Sequence, residues 1–353
     1  MNAMLRLFSI SHAPSASTLP PRLGDDGCAA GHHGKAVSGE FRVADATSAL
    51  GSERPRYESD RAAQIDWFYP GAVIGFHLLA LLAVLPWFFS WSGLVLALLG
   101  IYVFGTLGIN VGFHRLLTHR SFSCPRWLER TFVLLGTCCV MESPAYWVAV
   151  HRQHHQFADE EQDPHSPLRS FFWSHFGWYM VRVDPVRRAE LLQRYAKDVM
   201  RDPLCAFLER NLHWVALIAL SWLIFFGAGW GAALATGTSA FDAVQFGASV
   251  LVWGVFVRTA AVFEITMCVN SITHLWGYRN YATNDNSRNN VLIGILAAGE
   301  GWHNNHHADP GAARLGHFWW EFDIAWLVIA VLERIGLAWD VVRPRCVAQE
   351  TSE

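Results

Sequence analysis

Two closely spaced pairs of long apolar stretches set the frame for this chain. Residues 67–89 hold one histidine, His77, and no formal charge; residues 91–113 hold neither. At 1.5 Å per residue, each is long enough to cross ~30 Å of hydrocarbon as a helix, and the short break at Ser90 makes them a hairpin. A second pair, 212–234 and 244–268, follows after a long polar interval. Its last member is interrupted by Arg258 and Glu264, which should face protein or the interface because lipid penalises them. The chain therefore reads as an all-α membrane protein with four transmembrane helices. A composition 52% apolar and only 16% charged agrees with that.

The polar segments, 114–211 and 269–353, supply the sidedness. Arg115, Arg120, Arg126 and Arg130 follow the first pair, and Arg182, Arg187, Arg188, Arg194, Lys197 and Arg201 come later. Positive-inside counting puts both segments, and both termini, in the cytoplasm. A net charge of −3 offers no basic excess for nucleic acid. Residues 132–150, broken by Glu142, Ser143 and Pro144, read as a buried or re-entrant element. Residues 318–339, punctuated by Glu321, Asp323, Glu333 and Arg334, read as an interfacial helix with Trp anchors. Residues 1–60 are expected to be a flexible extension in which His12, His32 and His33 are passengers, ahead of one membrane-embedded unit over 61–345. Seven cysteines without a CxxC give neither a disulfide framework nor a thiolate metal site.

Histidine is the other unusual count: 17 in the chain, nine of them clustered. His114 and His119 end the second apolar stretch. His151, His154 and His155 form one HxxHH, and His303, His306 and His307 form another. Asn270 and His274 stand just after the fourth stretch. On a helix, positions i, i+3 and i+4 share a face, so each HxxHH aims its imidazoles at one point. His114 and His119, five apart, do not share a face cleanly; a helix end or bend between them would bring both to one site. Nine imidazoles are too many for one ion and suit two, which could be Fe, Zn, Cu or Ni. A zinc hydrolase would need an HExxH, which is absent. A histidine-rich metal transporter would place ligands within the spans, whereas every cluster here follows an apolar run. His77, His213 and His317 read as packing or interface residues.

The motifs resemble those of the integral-membrane fatty acyl desaturases of the delta-9, stearoyl-CoA desaturase-like type. The likeness runs through NVGFHRLLTHR (110–120), HRQHH (151–155) with DPH (163–165), SHFGW (174–178), NSITHLWG (270–277), NDNSRNN (284–290) and GEGWHNNHH (299–307), and spans about residues 65–342. It implies four transmembrane helices and a cytosolic helical cap holding a di-iron centre. It also implies that the nine clustered histidines ligate two Fe ions, with Asn270 acting through a water. The implied reaction is O2-dependent insertion of a cis double bond, at delta-9, into a saturated acyl chain on CoA or membrane lipid.

On this resemblance Asp163 and Glu300 become candidate acceptors for the ligand imidazoles' N–H groups. Trp147 and Trp178 become candidate walls of an apolar substrate tunnel. Arg115, Arg152 and Arg288 become candidate contacts for phosphate or for a redox partner. No HPGG-type haem motif follows His307, so a separate electron donor, ferredoxin or a cytochrome b5-like protein, is expected. The expected location is a bacterial inner membrane, with the cap in the cytoplasm.

Overall fold

The structure, a computed structural model, describes residues 65–181 and 183–345. The expected leader 1–60, with His12, His32 and His33, and Arg182 lie outside the described residues. Within them the architecture is helical, with isolated bridges and no strand.

Three helices are long and apolar enough to cross a membrane: Trp91–Thr118, Pro203–Ala235 and Ala240–Ile272. The first apolar stretch is shorter. Helix α1 (Phe68–Ala80) tightens into a 3-10 turn and stops at Val84. That length covers about 25 Å, short of the expected full span, because Leu85 and Pro86 take the chain out of helix. Helix α2 (Trp91–Thr118) begins at Ser90, whose hydroxyl accepts from the Gly93 amide. From Ile101 onward it widens into π-helical geometry, which carries through to Thr118.

Residues 132–150 do not span. Helix α3 (Arg126–Thr137) runs back along α2, and the chain breaks at Cys138–Ser143, where Val140 and Glu142 have positive φ. The α2–α3 seam is backbone-close: a Cβ on Gly108 would sit 2.3 Å from the Gly136 nitrogen. Helix α4 (Pro144–Phe157) restarts with Ser143 as cap and Pro144 in its first turn. Short helix α5 (Phe171–His175) follows; α6 (Pro185–Tyr195) and α7 (Pro203–Glu209) pack around α4 and lead into α8 (His213–Ala235), which is hairpinned with α9 (Ala240–Ile272), the helix against which α5 rests. The main core gathers Phe113, Val133, Tyr146, Val148, Phe263 and Met267 from α2, α3, α4 and α9.

Two charges inside α9 follow the expectation for them. Arg258 is fully buried, 3.8 Å over the Phe104 ring, with its guanidinium 3.3 Å from the Cys138 carbonyl. Glu264 bridges His77 at 3.1 Å and His175 at 3.0 Å. After α9 come α10 (Val291–Leu296), α11 (His303–Ala308) and α12 (Ile324–Arg334). Helix α12 is too short to cross a bilayer; it buries Ala325 and Ile329 and exposes Leu327 and Val331, beside the exposed Trp319 and Phe322.

Candidate metal centre

Four helical elements deliver the nine clustered histidines to one place. The C-terminal end of α2 brings His114 and His119, and the last turns of α4 bring His151, His154 and His155. His274 follows α9, and α11 brings His303, His306 and His307. The wide turn of α2 settles the awkward five-residue spacing. The His119 amide bonds the His114 carbonyl at 3.1 Å, so the i+5 residue stacks over the first and the two rings lie 4.8 Å apart.

The imidazoles sort into two groups whose ring nitrogens lie within 4.8 Å of one another. One holds His114, His119, His151, His155 and His306; the other holds His154, His274, His303 and His307. In the first, Nε2 of His306 is 3.0 Å from that of His114 and 2.9 Å from that of His155, and His151 and His155 are 3.1 Å apart. In the second, Nε2 of His303 lies 3.0 Å from His274 and 3.1 Å from His307. Metal–nitrogen bonds near 2.1 Å put neighbouring ligand atoms ~3 Å apart, so these spacings suit a shared ion in each group. The groups abut: His155 and His307 stack with centroids 4.5 Å apart. Buried Nε2 of His119 has no protein partner, as a ligand atom facing an ion would not.

The ring nitrogens that face away are held by carboxylates. His154 Nδ1 lies 3.0 Å from Asp163, His274 Nδ1 3.0 Å from Asp159, and His307 Nδ1 2.8 Å from Asp285. Glu300 sits 2.6 Å from His114 Nδ1, as a close contact off the N–H axis, and reaches Arg115 at 3.0 Å with its other oxygen. The three aspartate pairings direct the remaining lone pair inward. Burial, reinforced by neighbouring imidazoles, holds His119, His151, His154, His155, His303 and His306 well below the ordinary histidine range, so they are neutral donors at pH 7. Burial alone would raise Asp285 and Glu300. The facing His307 and Ser287, and the facing His114 and Arg115, bring them below the usual carboxylate range instead.

Helix α11 is fixed from behind by the asparagines of its own motif. Asn289 Oδ1 accepts from the Asn304 and Asn305 amides at 3.0 and 3.2 Å, and Asn305 bonds Asn289, Asn280 and Glu321. Asp159, Asp285 and Asn305 were not singled out from the sequence, and Glu321 was read there only as a charge punctuating 318–339. The partners of Asp159 and Asp285 lie far along the chain, and only the NDNSRNN and HNNHH strings hinted at the rest. Asn270 is half-buried and lines the cavities beside His151 and His303.

Two cavities lie beside the histidines and share Trp147, His151, Thr266 and Asn270. Trp147 stacks on His151 at 5.0 Å, and Trp178 lines the smaller cavity. The arginines go elsewhere than expected. Arg115 is fully buried between Glu300 and Asp323, and Arg152 is spent on Asp198 and the Leu117, Thr118 and Tyr195 carbonyls. Arg288 bonds the Gly277 carbonyl. Internal ion pairs occupy the first two.

A family model described as fatty acid desaturase matches residues 85–339. The sn-1 stearoyl-lipid 9-desaturase of Synechocystis sp. is 41% identical over 268 residues, covering 76% of this chain and 77% of the relative. The sn-2 palmitoyl-lipid 9-desaturase of Nostoc sp. is 37% identical over 297 residues, with 84% and 96% covered. The acyl-CoA 5-desaturase AL21 of Anemone leveillei is 39% identical over 281 residues, with 79% and 80% covered.

Proposed function

Because this chain belongs to the fatty acid desaturase family, we propose that it is a delta-9 desaturase of saturated acyl chains esterified to membrane lipid, with acyl-CoA as the alternative carrier. The observation that carries the reading is the division of nine imidazoles into two abutting groups. Each converted chain would consume one O2, two external electrons and two protons, forming one cis double bond and two waters. Two Fe ions, when bound, would supply the oxidising power that acid–base side chains lack toward an unactivated C–H bond.

The chain's own residues bind, orient and exclude. His114, His119, His151, His155 and His306 would hold one iron, and His154, His274, His303 and His307 the other, with Asn270 completing the smaller set through a water. Asp159, Asp163 and Asp285 keep His274, His154 and His307 in one tautomer, and Glu300 sets its charge beside His114. Trp147, flat against His151, walls the passage where an acyl chain would lie, so that two adjacent methylenes are presented at fixed depth. In the bilayer, α1 with its 3-10 extension serves as the fourth span, and the histidine-bearing cap faces the cytoplasm of a bacterial inner membrane. There a separate donor, ferredoxin or a cytochrome b5-like protein, would deliver the electrons.

Expression in a host lacking its own delta-9 desaturase, followed by gas chromatography of double-bond position, tests the reaction. Unsaturation at another carbon would reassign the regiochemistry. Metal uptake with no O2-dependent unsaturation would sink the reading in favour of a metal carrier.

A further inference from the structure

The two cavities beside the histidines differ in chemistry. The larger is walled by Ile101, Ile109, Val262, Ile265, Val269 and Leu296, from the spans and α10. Two of its polar groups are already satisfied: Asn110 donates to the Ala297 carbonyl and Thr266 to the Val262 carbonyl. The smaller cavity is lined by Glu142, Tyr146, His165, Trp178 and Tyr179, with Met141 and Met267 beside them. Glu142 there is bonded by the Tyr69 hydroxyl and by Arg188, whose guanidinium also serves Glu209. Two carboxylates against one guanidinium leave this wall net negative.

On that wall two buried nitrogens are left without a hydrogen-bond partner in the protein, His165 Nδ1, which can donate or accept according to tautomer, and Trp178 Nε1, which can only donate. The Trp178 indole nitrogen is buried and finds no acceptor in the protein. Indole N–H can only donate, and a buried donor left unmet is destabilising. An ester carbonyl, which can only accept, is its complement, whereas the net negative wall disfavours a free fatty carboxylate. We infer that Trp178 binds the carbonyl of the esterified acyl chain in the smaller cavity, with the methyl end in the larger one. The double bond is then counted from the carbonyl. Only His165 separates Trp178 from the ligand set: its ring lies 5.3 Å from Trp178 and 4.3 Å from His154. This rests on the proposed acyl desaturation.

The test compares iron-loaded wild type and Trp178→Phe on glycerolipids carrying the same chain through an ester or through an ether, which lacks the carbonyl. For the ester, the variant should show KM raised roughly fivefold to tenfold with kcat little changed, and product spread over neighbouring carbons. The ether lipid should cost wild type the same factor and cost the variant nothing more. Trp214→Phe, which removes another buried indole donor outside both cavities, should leave position and KM unchanged. Equal KM for ester and ether in wild type overturns the inference even if Trp178→Phe fails to fold; a single-position product with unchanged KM in the variant also overturns it. Absence of any unsaturation by wild type overturns the underlying reading as well.

Discussion

The aspartates beside the clustered imidazoles are proposed to keep a proton on Nδ1 and a lone pair on Nε2. Asp159 and Asp285 do this for His274 and His307 with no other charged partner. Changing either to Asn keeps the shape but removes the charge, and should weaken iron binding ~10–100-fold. Iron titration of the metal-free variant checks it; wild-type affinity would exclude an orienting role. Replacing His119, His154 or His306 by Ala should go further, abolishing unsaturation and lowering iron content. Arg115 is a different case. It is buried between Glu300 and Asp323, so Arg115→Leu strands two carboxylates and should cost ~3–5 kcal/mol in stability. A melting temperature within error of wild type would contradict that.

The helices show which signals a sequence can carry. The HxxHH spacing, the Ser143–Pro144 start of α4 and the break within 132–150 are local patterns, and the structure has each where the residues place it. Asp163 and Glu300 were legible because they stand close to the histidine motifs in the chain. Asp159 also stands near a motif, but its partnership with His274, 115 residues away, is made only by the tertiary fold, as is that of Glu300 with His114. The wide turn of α2 was also illegible, because a five-residue histidine spacing reads as mismatch on an α-helix. The shortfall of α1 has a plain cause in Pro86, which an apolar count passes over. Glycines now gain a meaning that composition could not give. At Gly108 an added methyl would meet the Gly136 backbone, so Gly108→Ala must push α3 off α2, the helix that bears His114 and His119. Such overpacking costs ~1–3 kcal/mol, so a lowered melting temperature and poorer iron retention are expected. Gly75→Ala, with open space around its Cβ, is the matched control and should melt like wild type.

On the scale of the whole molecule, the fold sets a concentrated cluster of buried imidazoles against the ends of apolar helices. That cluster must be kept uncharged until metal neutralises the demand for ligands. Burial and mutual proximity lower the folded-state affinity of His119, His151, His154, His155, His303 and His306 for protons. The unfolded chain, with ordinary histidines near pKa 6.5, therefore takes up protons first as pH falls. Stability is full above about pH 6.5 and is lost progressively below it, as far as the depressed folded values. Metal-free protein in detergent should thus melt at a nearly constant temperature from about pH 8 to 7 and then drop steeply toward pH 5.5. On the proposed function iron would occupy the same lone pairs that protons take, so the loaded protein should resist acid further and then release metal as it melts. Because the effect sums over six histidines, replacing His119 alone should shift the acid limb only modestly toward lower pH. A metal-free melting curve flat down to pH 5.5 would mean that the rings are solvated, and would remove the burial on which the two-ion site depends.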